Sequence, residues 1–163
     1  MLILLFSWLI QVFVFNHLGN FISYLPYFGL ISIILFPFKT NETLYLVYAF
    51  VAGLLMDTAL GTGGVFASAA VTFAFLRNII IKRIKPEWME RNLTVASLPL
   101  NTAFFYILIT SVSVTLLVYV FDSGRLSVVF AHTGDILKHG LLNGFFYFIF
   151  TIFFHRNKIT QTV

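Results

Sequence analysis

The chain has 163 residues, of which 60% are hydrophobic and only 10% charged, and its mean hydropathy is +0.96. A soluble domain of this length buries only about 70% of the surface of its unfolded chain, so this composition would leave an apolar shell that soluble monomers do not carry. The absence of cysteine excludes disulfide frameworks, thiolate zinc sites and cysteine nucleophiles, and the net charge of +4 sits where a membrane protein places its basic side chains, so nucleic-acid binding is not indicated.

The chain therefore reads as an all-α, polytopic membrane protein. Crossing about 30 Å of hydrocarbon takes roughly 20 helical residues. Six stretches qualify, at about 1–18, 22–38, 43–60, 65–81, 98–121 and 134–154, within a single transmembrane domain covering 1–163. The first lacks a basic leader and no small-residue cleavage site follows Phe15, so it is expected to be a retained helix rather than a signal peptide. Pro26 falls in the opening turn of the second, where a missing N–H is tolerated, and Pro37 marks its exit.

A tight turn, Gly61-Thr62-Gly63-Gly64, joins the third stretch to the fourth. The polar run at 82–91 then carries Lys82, Arg83, Lys85 and Arg91, with Pro86 as a helix stop and Trp88 suited to headgroup depth. This run with Trp88 offers contact with anionic lipid headgroups or, more plainly, a solvated basic loop. The segment 122–133 is left between the last two spans, where 126–130 suits a short interfacial helix or strand.

Orientation follows from the basic residues. With both termini in the cytoplasm, Lys39, Arg77, Lys82, Arg83, Lys85, Arg91, Arg156 and Lys158 lie on the inner side and only Arg125 and Lys138 outside. Arg77, within the fourth span, reads most simply as a side chain snorkelling toward cytoplasmic headgroups.

The segment most able to carry a specific role is Gly53-Leu54-Leu55-Met56-Asp57, continuing to Gly61 and Gly64. Gly53, Asp57 and Gly61 recur every four residues and share one helical face, where glycines admit a close neighbour and an acid points at protein. Counting from Glu42 at about 1.5 Å per residue puts Asp57 about 22 Å along its helix, in the outer third of the bilayer. It is then either a helix-ending Asp among packing glycines or the partner of Lys138 or His139, which lie at matching depth. Asp135 competes for the same two residues at i,i+3 and i,i+4 spacing.

In the last span Gly140-Leu141-Leu142-Asn143-Gly144 has small-xxx-small spacing with an amide inside it, suited to packing within the bundle or to an external partner helix. No His-Glu-x-x-His, Gly-x-Ser-x-Gly or phosphate-binding glycine loop is present, and the scattered histidines lack ligand spacing. An enzyme, a cofactor or a metal is therefore not expected.

The order of these features, with Leu25-Pro26 opening the second helix, Pro37 at its exit, then Gly53-Leu54-Leu55-Met56-Asp57 and the turn from Gly61 to Gly64, resembles the MreD family of bacterial rod-shape-determining membrane proteins. The motif lies between Pro26 and Gly64; the later helices match in hydropathy only. The resemblance implies a bundle similar to the S components of energy-coupling-factor transporters and residence in the bacterial inner membrane. It also implies a non-enzymatic role in cell elongation and peptidoglycan synthesis, with MreC as the direct partner and MreB, RodA and a class B penicillin-binding transpeptidase as fellow members. An S component binding a small vitamin-like molecule is the alternative, against which the first span, 1–18, contains no alanine for the Ala-x-x-x-Ala face such proteins present.

Overall fold

The computed structural model describes residues 2–15, 27–91 and 93–159, with side chains at 5–14, 27–91 and 93–153. The described residues form helices and no strands. Helix α1 (Leu2–Ile10) runs on into a π-helical turn (Gln11–Phe15), and a 3-10 turn (Phe28–Leu30) leads into the short α2 (Ile31–Ile34). Then come α3 (Glu42–Leu60), α4 (Val65–Ile84), the short α5 (Pro86–Glu90), a 3-10 turn (Val95–Ser97), α6 (Leu100–Ser123), the short α7 (Leu126–Ala131) and α8 (Thr133–Ile159).

Four of these are long and apolar enough to cross a membrane: Glu42–Leu60, Val65–Ile84, Leu100–Ser123 and Thr133–Phe153. They correspond to the last four of the six expected spans. Of the first two, Pro26 and the rest of 16–26 lie outside the described residues. What is described of them, Leu2–Phe15 and Phe28–Ile34, is shorter than a span.

Each span ends for a local reason. Asn41 caps α3, its side chain accepting the Thr43 N–H at 3.0 Å, and Gly61 closes that helix in the left-handed conformation (φ 69°). Gly64, at φ 105°, turns the chain into α4, which closes with Lys82 and Arg83 in its last turn, where cations favour the helix dipole. Pro86 stops α4 and then opens α5, a position where its missing N–H removes no bond. The segment 126–131 is helical rather than a strand, exposing Leu126 and Phe130 while burying Val129.

Helices α3 and α4 form one antiparallel hairpin, α6 and α8 a second, and the two meet along α4 and α6. The short stretch from Phe28 to Ile34 lies at the centre, with Leu30, Ile31 and Ile34 fully buried. Large apolar side chains such as Leu44, Val47, Phe75, Ile80, Phe105 and Phe145 face outward on all four long helices. That outward face suits lipid, and water would penalise it.

Candidate functional site

The glycine turn between α3 and α4 is held from both sides by one residue. The backbone carbonyl of Asp57 accepts the N–H groups of Gly61 (2.8 Å) and Thr62 (3.2 Å), closing α3 with a left-handed cap at Gly61. Its carboxylate accepts the Thr62 hydroxyl at 2.6 Å, the Phe66 N–H at 3.0 Å and the Ala67 N–H at 2.9 Å. Phe66 and Ala67 are the second and third residues of α4, whose first-turn amides have no intrahelical acceptor, and Gly64 ahead of them has no side chain to offer. Asp57 therefore ends one span and caps the next, its negative charge at the favourable pole of α4.

Gly53, one turn earlier, makes this geometry attainable. A Cβ built there would lie 2.4 Å from the Ala67 Cα and 2.7 Å from the Phe66 carbonyl oxygen, so the two backbones touch at that point. The expected face is thus a helix-hairpin contact at Gly53 and Asp57, while Gly61 is exposed, meets no neighbour and serves the turn through its positive φ.

The expected contact of Asp57 with Lys138 or His139 is not what the structure contains. Lys138 is exposed and reaches Asp135, three residues away, at 3.8 Å. The His139 Nδ1 lies 3.0 Å from the Tyr119 hydroxyl. The physical reason is the turn itself: it brings amides at the start of α4 that lack an intrahelical acceptor onto the Asp57 carboxylate, and their bonds take up both its oxygens.

Gly140, Asn143 and Gly144 all face inward. A Cβ on Gly140 would meet the Val112 Cα at 2.8 Å, and one on Gly144 the Leu108 Cα at 3.4 Å, so this small-residue face of α8 packs on α6. Ser111 donates to the Gly140 carbonyl at 2.8 Å, adding a hydrogen bond across the same contact. Asn143 joins three parts of the chain: its Oδ1 accepts the Tyr27 N–H at 2.9 Å and its Nδ2 donates to Thr115 at 3.2 Å. The Tyr147 hydroxyl donates to the Tyr27 carbonyl from the same helix.

Arg77 departs most from the sequence reading. It does not snorkel; it is 3% exposed and held inside the bundle. Its Nε donates to the Tyr106 hydroxyl at 2.6 Å and its Nη2 to the Phe36 carbonyl at 2.6 Å, while the rings of Phe38 and Tyr45 lie 4.8 Å from the guanidinium carbon. Tyr45 itself donates to the Ile33 carbonyl at 3.0 Å. The carbonyls freed where α2 ends are thus collected by Arg77 and its tyrosine neighbours. Helical spacing carries the signal for this: Ala70, Ala74, Arg77 and Ile81 form one buried stripe on α4, so an arginine on it points at protein.

No cluster of three or more His, Asp or Glu side chains suited to a metal occurs among the described residues. No family model, curated protein or solved structure matches this chain.

Proposed function

We propose that this chain is an MreD-type component of the bacterial elongation machinery, a non-enzymatic inner-membrane protein that binds MreC and helps couple MreB to RodA and a class B transpeptidase. In this reading it crosses the membrane six times, with both termini in the cytoplasm. The observation that carries it is the double role of Asp57. The Gly-Leu-Leu-x-Asp segment and the glycine turn, the features that resemble the family, here act as one unit: Gly53 for close packing, Asp57 for two helix ends, Gly61 and Gly64 for positive φ. A family whose work is to hold partners in the bilayer needs a rigid bundle, and this motif supplies one.

The alternative, a vitamin-binding S component, would need polar groups such as the Asp57 carboxylate to be open to a ligand. That carboxylate is occupied by intramolecular hydrogen bonds, which favours the interaction role. With Gly140 and Gly144 packed on α6, a partner helix would meet the outward side chains instead of the glycine faces.

Deleting the gene from a rod-shaped host tests the proposal. Cells that become spheres, together with co-purification of an MreC protein with the tagged chain, are the expected result. Cells that stay rods while a small molecule co-purifies would give the S-component reading precedence.

A further inference from the structure

Between α4 and α6, at the end of the bundle that carries Lys85, lies a groove of about 690 Å³ open to the bilayer. Its walls are apolar, with Leu76 and Ile80 from α4 and Phe105 and Ile109 from α6. Its mouth is polar and cationic: Lys85, Trp88 and Asn101 line it, Arg83 adjoins it on the same helix end, where Lys82 is paired with Glu42, and Arg77 lies at its base. Trp88 is set there by packing on Phe38 (5.0 Å between ring centroids) and Tyr106 (6.0 Å). The side-chain donors of Lys85, Trp88 and Asn101 bond no protein group among the described residues, and neither does any carboxylate there pair with Arg77.

The length of the groove selects its occupant. Its lining runs from Phe73 to Lys85 on α4 and from Asn101 to Leu117 on α6, about 18 Å and about 24 Å at the helical rise. One leaflet of hydrocarbon is about 15 Å deep, so the groove spans a single leaflet plus its headgroup layer. A partner's transmembrane helix crosses about 30 Å and would need the opening to continue to the glycine-turn end, which the lining does not reach. A cationic mouth over an apolar slot of this depth is complementary to an amphiphile with an anionic head.

We propose that this groove holds one anionic phospholipid from the leaflet at the Lys85 end, with its phosphate on Lys85, Trp88 and Asn101 and an acyl chain between Ile80 and Ile109. The site stands on the groove alone and is independent of the proposed role in elongation.

Native mass spectrometry of the full chain, purified in detergent with equal phosphatidylglycerol and phosphatidylethanolamine, tests it. One phosphatidylglycerol retained per chain is expected, with retention falling about tenfold in the Lys85→Gln, Asn101→Ala double variant. Ile109→Trp, which fills the slot without touching the mouth, should displace the lipid as well. Leu76→Trp replaces it if that variant does not elute as a single helical species. Arg125→Gln, an exposed cation at the opposite end of the bundle, should leave retention unchanged. Equal retention of phosphatidylethanolamine, an unchanged double variant, undisturbed retention in the filled groove, or an equal loss with Arg125→Gln would each overturn the site.

Discussion

The carboxylate of Asp57 and the backbone amide of Ala67 face each other across the Gly61-Thr62-Gly63-Gly64 turn, Oδ2 accepting the amide hydrogen at 2.9 Å. Removing that carboxylate leaves the Phe66 and Ala67 amides without an acceptor in a buried position. Asp57→Ala should therefore lose about 3 kcal/mol of stability, the combined effect of a lost charged cap and stranded donors. Asp57→Asn keeps one carbonyl oxygen as acceptor and should lose about half as much. Unfolding of the purified protein in detergent by titrated denaturant reads both. An Asp57→Ala protein as stable as the wild type would discount the double cap.

The same geometry decides a charge-reversal experiment. If Asp57 paired with Lys138, exchanging the two charges would restore what either single change loses. Lys138 instead reaches Asp135 from an exposed position, where an ion pair contributes about 1 kcal/mol or less. The Asp57→Lys, Lys138→Asp protein should be no more abundant in membranes than Asp57→Lys alone. Recovery in the double variant would establish a pairing that the hydrogen bonds of the turn do not allow.

The glycines should rank by the space each one has. Gly53→Ala forces a methyl to 2.4 Å from the Ala67 Cα, and backbone cannot move aside as a side chain does. Gly140→Ala meets the Val112 Cα at 2.8 Å, and Gly144→Ala meets the Leu108 Cα at 3.4 Å, an ordinary contact after slight adjustment. Losses of about 3, about 2 and under about 1 kcal/mol are expected in that order, from the usual range for overpacking. Partner capture does not enter this ranking, so a Gly144→Ala protein that folds normally but loses its partner would return that face to an external role.

The last four helices were legible in the sequence because their apolar runs are long and several of their ends carry strong local signals: Gly61, Gly64 and Pro86. The face shared by Gly53 and Asp57 was legible from four-residue spacing. Its partner was not, because depth along a helix gives height in the bilayer and says nothing about which neighbour lies nearest. The carboxylate found donors ten residues away in sequence, across a turn, before any found on α8. Arg77 was misread for a different reason. Nearness to the basic end suggested snorkelling, whereas the alanines at i−3 and i−7 had already placed it on a packing face.

Arg77 gives the sharpest test of that distinction. A snorkelling arginine in lipid is a burden, and replacing it with leucine would be neutral or stabilising. Here Arg77→Leu strands the Phe36 carbonyl, leaves the Tyr106 hydroxyl with only its bond to the Ile34 carbonyl, and removes a cation from between two aromatic rings. It should lose about 3 kcal/mol, from two charge-assisted hydrogen bonds and desolvated ring contacts offset by the desolvation of the cation itself. Arg77→Lys keeps the charge, but a single ammonium does not reproduce the fork that serves Tyr106 and Phe36 at once, so an intermediate loss is expected. Tyr106→Phe should lose about 1.5 kcal/mol in the wild type and clearly less when Arg77 is already leucine, because the two side chains act through one shared bond. A double-mutant cycle on unfolding free energies in detergent measures that coupling; additive losses would mean that Arg77 and Tyr106 stabilise the bundle independently and that the cage is not the unit the geometry describes.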